Sequence, residues 1–333
     1  MPNGVSPAGR TARKKDSQVT IVEVSPRDGL PEVCDSLSTQ DKIDYINRLA
    51  DTGLPKIECA SFTHPRLMPE GYDAEKLIKG ITKKQDVTYV GLVPNEIGCR
   101  RAVVTQIDEI LIVLAASDAF NKLNLGRPLK ESLNKMLPAV LDTAVANSRS
   151  IRVYIMMAFG CPYTGRISPD DLAQLLLKLG YMGASEIVLH DSTGMANPKT
   201  VKTTIRGLLD LQLGINLAVH FHNTRGAAIA NCMAAYEAGI RIFDTSLCGM
   251  SATPYGVAEL DIGYWNVPTE DLVHLFEEMG VKTGINLDKL LDCASLAEKM
   301  AGAALPGHLL RARPASQIAE IPPYLKRQPV IDP

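Results

Sequence analysis

The sequence predicts an α/β protein, a (β/α)8 barrel with a C-terminal extension, from three observations. Short runs rich in β-branched residues alternate with amphipathic segments about eight times in roughly 250 residues. The first run is not followed by the GxGxxG turn that a dinucleotide-binding open sheet would place there. Charged and histidine side chains instead stand at the ends of several runs, where a barrel carries its chemistry. The alternation alone would also fit an open doubly wound sheet, so the strand ends decide in favour of the barrel.

The predicted strands and helices can be assigned in order along the chain. The strands are VTIVEVS, KIECASF, VTYVGLV, EILIVLAAS, RVYIMMA, EIVLHDS, NLAVHFHN and RIFDTSLCG, with helix-like segments between them. Ser168 and Thr269 each precede acidic residues and are predicted helix N-caps. Residues 1–16 lack hydrophobic periodicity and are predicted to be a flexible tail. We expect residues 17–304 to form the barrel and residues 305–333 a C-terminal arm.

The composition favours a small-molecule enzyme over a nucleic-acid or membrane protein. The 333 residues are 46% hydrophobic and 22% charged, and 35 Lys and Arg against 37 Asp and Glu give a net charge of −2. No basic field is therefore available for nucleic acid. No apolar run approaches the ~20 residues that cross a bilayer, so we expect a cytoplasmic protein. The seven cysteines stand singly, which indicates reduced thiols and no CxxC zinc site.

Two histidines at the end of the seventh predicted strand give the sharpest chemical signal. His220 and His222 are two residues apart, so in a strand both side chains lie on one face. Two imidazoles converging at a barrel mouth are typical of metal ligands from one strand. The alternative is a pair of core histidines, each of which would need its own hydrogen-bond partner.

Charged residues near the first two strands complete a predicted metal and anion site. Arg27 and Asp28 follow the first strand, and an Asp with two His suits Mg²⁺ or Mn²⁺. Alone, this Arg-Asp-Gly turn would usually be a loop salt bridge. Glu58 lies inside an apolar strand, where a bare carboxylate is costly, so we expect it to pair with Arg27.

The end of the sixth strand offers a further titratable pair. Asp191 is a candidate acid or base for proton transfer. His190, the residue before it, is expected to point the other way in a regular strand. We interpret His190 as a packing residue.

Seven segments in this order between about Val19 and Leu291 resemble the 3-hydroxy-3-methylglutaryl-CoA lyase family of metal-dependent barrel lyases. They are IVEVSPRDGL, IECASF, AASDAFNKLN, FGCPYTGRISP, EIVLHDSTG, AVHFHNT and TEDLVHLFEEMGVKTGINLDKLL. The GCPY and ISP pair and the TEDLV to TGINL stretch carry most of the specificity. The His-x-His motif is shared with isopropylmalate and homocitrate synthases.

The resemblance implies a role for each candidate residue. A divalent cation, Mg²⁺ or Mn²⁺, would be bound by the four residues Asp28, His220, His222 and Asn266. Arg27 would stabilise the substrate carbonyl or the enolate that develops on cleavage, Glu58 would orient Arg27, and Asp191 would help to move protons. In the parent enzyme the products are acetyl-CoA and acetoacetate.

The chain departs from the family pattern around the substrate. Thr253 stands where the family has a catalytic cysteine, and its hydroxyl is a poor base near neutral pH. The stretch between Tyr255 and Asn266 is longer than the family pattern. Further differences are Pro31, Cys34, Met156, Met157, His190 and Asn223. Since the metal set is retained while these positions change, we expect a different acyl substrate. The two methionines with Tyr264 and Trp265 would make the pocket more apolar, although ordinary core filling explains the methionines equally well.

The predicted activity is cleavage of a 3-hydroxyacyl-CoA, such as 3-hydroxy-3-methylglutaryl-CoA, to acetyl-CoA and an oxo acid. Lys122, Asn124 and Arg127 are the predicted contacts to CoA, with surface solvation as the common alternative. Two other functions stay open, namely an aldolase or condensing enzyme on a 2-oxo acid and a ligand-binding homologue with impaired catalysis. The retained charged set argues against the second. A homodimer or higher homo-oligomer is expected from base rates.

Overall fold

Eight parallel strands close into a barrel, which confirms the predicted fold class. The computed structural model describes residues 18–34, 37–64, 66, 73–253 and 265–318. In spatial order around the barrel the strands follow the chain, and the last pairs with the first. They are β1 Thr20–Glu23, β2 Lys56–Ser61, β3 Thr88–Val93, β4 Glu109–Ala115, β5 Ser150–Met156, β6 Glu186–Asp191, β7 Asn216–Phe221 and β8 Ile242–Thr245.

Helices connect the strands and cover the outside of the barrel. They are α1 Leu30–Val33, α2 Thr39–Ala50, α3 Ala74–Gly80, α4 Glu96–Val103, α5 Asp118–Leu125, α6 Leu129–Glu131, α7 Leu137–Ala146, α8 Pro169–Tyr181, α9 Pro198–Leu209, α10 Ala228–Ala238, α11 Thr269–Glu278, α12 Leu287–Ala301, α13 Leu309–Ala312 and α14 Ala315–Ile318. A π-helical turn at Ser132–Met136 joins α6 to α7, and a 3₁₀ turn at Leu247–Gly249 follows β8.

The alternation of side chains along each strand separates two cores. Outward-facing residues of the strands pack with the helices in one large apolar core. Inside the barrel a smaller layer is formed by Val90, Leu111, Tyr154, Val188 and Ala218. Because successive side chains point to opposite sides, the residues that follow this layer toward the strand ends emerge at the barrel mouth.

Local sequence signals set the helix starts. Ser38 accepts the backbone N–H of Asp41, whose carboxylate accepts the N–H of Ser38 in return, so a capping box begins α2. Ser168 occupies the predicted cap position of α8 but makes no side-chain cap bond. The prediction for Thr269 was wrong by one residue. Pro268 is the cap residue of α11, and the Thr269 hydroxyl instead donates to Glu23.

The described part of the predicted C-terminal arm, residues 305–318, packs on α11 and α12. Leu305 and Leu309 are buried, and His308 Nδ1 lies 2.8 Å from Asp271 Oδ2. The predicted N-terminal tail, residues 1–16, lies outside the described residues. Among the residues that are described, no helix is both long and apolar enough to span a bilayer.

Candidate active site

The turn after β1 brings Arg27 and Asp28 to the barrel mouth. Gly29, the next residue, has φ 138°, a conformation that L side chains rarely adopt. A Cβ atom there would lie 2.6 Å from the backbone carbon of Met250. Glycine therefore lets the β1 turn approach the segment after β8 closely enough to place Asp28 beside Asn266.

Asp28, His220 and Asn266 converge at this mouth from three different parts of the chain. His220 Nε2 lies 2.8 Å from Asn266 Oδ1 and 3.7 Å from Asp28 Oδ2. Asn266 Nδ2 donates to Asp28 Oδ2 at 3.0 Å and to the Met250 carbonyl at 2.9 Å. These contacts fix the amide so that its oxygen faces the imidazole, which leaves a carboxylate oxygen, an amide oxygen and a ring nitrogen close together.

Three imidazoles, not two, occupy the cluster. Among the described residues, His190, His220 and His222 form a group whose ligand atoms all lie within 4.8 Å of one another. His190 Nε2 is 3.1 Å from His222 Nε2, and the rings of His190 and His220 have centroids 4.0 Å apart. The expectation that His190 points away from this site was therefore wrong.

His190 faces the histidine cluster, whereas Asp191 faces away from it, which is the reverse of the orientation predicted from the sequence. β6 and β7 pair in parallel register, with His190 opposite His220 and Asp191 opposite Phe221. Paired residues point to the same side of a sheet, so His190 enters the barrel and Asp191 faces the helices. Asp191 Oδ1 accepts the N–H of Met195 at 2.8 Å, and Oδ2 accepts the N–H of Ala196 at 3.0 Å. The carboxylate thus ties down the loop after β6.

Burial and neighbouring charges set the protonation of the cluster. Burial and, to a lesser extent, His220 lower the pKa of His222 to about 3. Burial also lowers the pKa of His190 well below its usual value. Burial alone would raise the pKa of Asp28, but Arg27 and the histidines outweigh it and lower this pKa. Near neutral pH the site therefore combines the neutral imidazoles of His190 and His222 with the ionised carboxylate of Asp28 and the amide oxygen of Asn266. This donor set fits a divalent cation.

Arg27 lies against two carboxylates, as the sequence predicted for Glu58. Arg27 Nε is 2.5 Å from Glu58 Oε1, and Nη1 is 3.2 Å from Asp28 Oδ1. Burial would lower the pKa of Arg27, but the two carboxylates reverse this and raise it, so the guanidinium stays charged. About 12% of the Arg27 side-chain surface remains exposed, so part of this side chain is accessible at the barrel mouth.

A buried polar network below the mouth was missed by the sequence reasoning. The Tyr154 hydroxyl lies 2.9 Å from Glu58 Oε2 and 2.6 Å from Asp244 Oδ2. Arg152 Nη1 donates to the same Asp244 oxygen at 3.1 Å, and Asp244 lies 3.4 Å from His220 Nδ1. The signal was present, because Arg152 and Asp244 stand inside apolar strands just as Glu58 does.

The predicted CoA contacts lie on or just after α5. Lys122 pairs with Asp118 at 2.7 Å, and Arg127 Nε donates to the Leu125 carbonyl at 3.3 Å. Asn124 Nδ2 lies 3.7 Å from Met156 Sδ, which connects α5 to the end of β5.

The structure describes several of the other positions at which the sequence departs from the family pattern. Thr253 is exposed at the end of the segment after β8. Met156 and Met157 belong to an apolar cluster with Ala115, Phe120 and Cys161. Cys34, Cys161 and Cys248 are buried, and none of them forms a disulfide bond. The longer loop falls almost wholly on residues 254–264, outside the described residues, and Trp265 at its end is partly exposed.

Comparison with known proteins places the chain in one family. The sequence profile of the HMGL-like family matches residues 18–297. The hydroxymethylglutaryl-CoA lyase YngG of Bacillus subtilis is 38% identical over 88% of this chain and 97% of its own. The (R)-citramalyl-CoA lyase of Chloroflexus aurantiacus is 35% identical over 92% of this chain and 99% of its own.

A solved structure agrees with these relatives. It is an HMG-CoA lyase from Acinetobacter baumannii in complex with coenzyme A and 3-methylmalate. It has a TM-score of 0.85 and 35% identity, and the match covers 92% of this chain and 99% of that one. The chain belongs to the HMGL-like family and is a carbon–carbon lyase of the hydroxymethylglutaryl-CoA lyase-like type.

Proposed function

We propose that the chain is a divalent-metal-dependent lyase that cleaves a 3-hydroxyacyl-CoA ester to acetyl-CoA and an oxo acid. The observation that carries this proposal is the convergence of Asp28, His220 and Asn266 beside the Arg27–Glu58 pair. The site lies at the C-terminal ends of the barrel strands, where barrel enzymes carry their catalytic groups. The relatives named for CoA-ester lyases support the reaction class.

The proposed ligands of the cation are Asp28, His220, His222 and Asn266, and Mg²⁺ or Mn²⁺ suits their mixture of oxygen and nitrogen atoms. When bound, such a cation supplies Lewis-acid polarisation of the substrate hydroxyl and a neighbouring oxygen. Asp28 contributes the negative charge, while the Asn266 amide is held by the carbonyl of Met250. These four side chains are buried, so the charge acts in a low-dielectric site.

Arg27 is proposed to stabilise the oxygen that becomes negative when the C–C bond breaks. A thioester enolate forms in that step, and a fixed cation stabilises it without reorganisation. Glu58 accepts from Nε, and Asp28 Oδ1 lies 3.2 Å from Nη1, so two carboxylates constrain the orientation of the guanidinium. Glu58 is accordingly a positioning residue.

The proposal also assigns a proton relay and contacts to CoA. Asp191, whose pKa burial raises to about 6, has a suitable pKa for proton transfer, but both its oxygens accept backbone N–H groups. We assign Thr253 a hydrogen bond to substrate, since its hydroxyl is a poor base. Lys122, Asn124 and Arg127 are the proposed CoA contacts. Of these, Lys122 would exchange its exposed ion pair with Asp118 for a phosphate.

The proposed acyl substrate is one other than, or in addition to, 3-hydroxy-3-methylglutaryl-CoA. The relative named (R)-citramalyl-CoA lyase and the complex with 3-methylmalate support variation of the acyl group within this family. In this chain Met156 is buried at the end of β5 and touches Asn124, one of the proposed CoA contacts. An apolar wall at that position favours a substrate with an apolar group near the thioester.

Acetyl-CoA release tests the proposal. The purified chain is incubated with 3-hydroxy-3-methylglutaryl-CoA or citramalyl-CoA, with Mg²⁺ or Mn²⁺, and with a chelator in parallel. We expect metal-dependent release from at least one ester and loss of release with the chelator. Release that is indifferent to the chelator would overturn the metal requirement. If a folded, metal-loaded protein releases nothing from a panel of 3-hydroxyacyl-CoA esters, the lyase assignment for this class is wrong. Synthesis from acetyl-CoA and a 2-oxo acid would then identify a condensing enzyme.

A further inference from the structure

We propose that His190 is a third imidazole ligand of the cation and that it shifts the site's preference from Mg²⁺ toward metals that bind imidazole more strongly, such as Co²⁺ and Zn²⁺. This inference rests on the proposed function, because it concerns the same cation. It goes beyond the four ligands named above, which are the set that the family resemblance implies.

The position of His190 is set by strand register. His190 on β6 lies opposite His220 on β7, so both side chains enter the barrel on the same side. His222 then emerges one residue pair farther toward the mouth. The ring centroids of His190 lie 4.0 Å from those of His220 and 5.1 Å from those of His222.

The separation of the nitrogen atoms matches two ligands of one cation. His190 Nε2 and His222 Nε2 are 3.1 Å apart. Neighbouring ligands at bonds of about 2.1 Å are separated by about 3.0 Å in an octahedron and about 3.4 Å in a tetrahedron. Two neutral ring nitrogens can also share one proton at this distance, but a shared cation satisfies all three rings at once.

Ser192 contacts Nδ1 of His190, the ring nitrogen that does not contact His222. Its Oγ lies 3.0 Å from His190 Nδ1 and also accepts the backbone N–H of Met157 at 3.1 Å. A hydroxyl oxygen has two lone pairs, so it can accept from both groups. With the Nδ1 proton donated to Ser192, the Nε2 lone pair points toward His222. Metal-binding histidines are commonly oriented in this way by an acceptor on the other ring nitrogen.

Burial adds an energetic argument. The exposed fractions of His190, His220 and His222 are 5%, 1% and 2%. Burying a polar ring costs free energy unless its nitrogen atoms are satisfied. For His190 the partners are Ser192 Oγ on Nδ1 and, on Nε2, either His222 or a cation that the two rings share.

The identity of the donors determines the metal preference. Carboxylate, amide and water oxygens suit Mg²⁺, whereas imidazole favours later divalent metals such as Co²⁺ and Zn²⁺. A site with Asp28 and Asn266 as oxygen donors and three imidazoles would therefore discriminate against Mg²⁺.

Metal binding by the full chain tests the inference through two readouts that do not depend on activity. The first is the electron spin resonance of bound Mn²⁺ in wild-type protein grown with histidine that carries the heavy nitrogen isotope in its ring. We expect hyperfine couplings between the bound Mn²⁺ and the labelled nitrogen atoms of three imidazole rings. Couplings from two rings would overturn the role of His190 and leave the proposed function standing. If wild-type protein binds no Mn²⁺ at all, the proposed cation site itself fails, and the inference fails with it.

The second readout is calorimetric titration of the His190→Gln variant, which keeps a polar side chain of similar reach. We expect the affinities for Co²⁺ and Zn²⁺ to fall about tenfold or more, while the affinity for Mg²⁺ changes little. His308→Gln, at an exposed histidine, is the matched control and should leave all affinities unchanged. Equal losses for every cation, or none, would contradict the inference. Should His190→Gln fail to fold, the resonance experiment on the wild type decides alone.

Discussion

The Tyr154 hydroxyl lies 2.6 Å from Asp244 Oδ2 near the centre of the barrel. The same hydroxyl is 2.9 Å from Glu58 Oε2, although it has only one proton to donate. Since Asp244 also lies 3.4 Å from His220 Nδ1, one phenol connects the carboxylate behind Arg27 with the carboxylate behind His220. Arg27, which is proposed to stabilise the enolate, and His220, a proposed metal ligand, are therefore both linked to this one buried hydroxyl.

Removal of this hydroxyl should cost stability as well as activity. In Tyr154→Phe, two fully buried carboxylates lose their common donor. A hydrogen bond to a charged group contributes about 1.5–3 kcal/mol, so we expect about 2 kcal/mol less stability in urea unfolding. Tyr45→Phe is the matched control, because Tyr45 is equally buried but bonds the neutral hydroxyl of Ser25 at 2.8 Å. Its loss should be about 1 kcal/mol. An equal or larger loss in the control would contradict the charged-network interpretation.

Replacement of Arg27 by lysine tests the geometry of the guanidinium. Nε and Nη1 of Arg27 contact Glu58 and Asp28 at the same time, which a single ammonium group cannot reproduce. We expect Arg27→Lys to keep its circular dichroism spectrum and Mn²⁺ affinity but to lose about 10²-fold or more in kcat/KM for acetyl-CoA release. Arg100→Lys, in the exposed ion pair with Glu96, serves as the control and should retain full activity. Near-normal turnover in Arg27→Lys would mean that Arg27 is only structural.

The fold and the pairing of Arg27 with Glu58 were predictable because they follow from strand alternation and from the cost of burying a lone carboxylate. The structure orients His190 and Asp191 opposite to the prediction, which shows the limit of reasoning from strand alternation alone. Two adjacent polar residues at a strand end look equivalent in sequence, and the pairing with His220 decides which one enters the barrel. The Tyr154–Asp244 contact joins β5 to β8, across the barrel rather than between paired strands. Local periodicity carries no information about such cross-barrel contacts.

Asp191→Asn separates anchoring from proton transfer. The carboxylate accepts the N–H groups of Met195 and Ala196, and an asparagine can offer only one oxygen to them. We expect faster hydrogen exchange at these two amides and lower activity, with the shape of the pH–rate profile retained. The alternative result is distinctive, because the pKa of Asp191 is raised to about 6 by burial. A limb of the wild-type profile near that pH, absent in the variant while amide exchange is unchanged, would show that Asp191 moves the proton.

Glu270 should make the stability of the protein fall as the pH rises. Its Oε2 accepts the N–H of Cys248 at 2.9 Å, while no described residue provides a hydrogen-bond partner for its buried Oε1. Burial raises the pKa of Glu270 from 4.5 to about 8. The folded state thus favours the neutral acid. The stabilisation is fully present below the unfolded pKa and is lost as the pH rises through the folded pKa.

Glu270→Gln removes this titration, so the unfolding free energies of the two proteins should diverge with pH. Relative to the variant, the wild type should lose on the order of a few kcal/mol between about pH 5 and about pH 9 in urea unfolding. Glu96→Gln, at a partly exposed position on α4, should follow the wild-type curve. Parallel curves for wild type and Glu270→Gln would show that this carboxyl is already ionised in the fold. Gly307→Ala tests the packing around this carboxyl separately from its titration, since a Cβ at position 307 would lie 2.0 Å from Glu270 Oε1. That variant should be less stable at every pH, because the clash does not depend on the charge of the carboxyl.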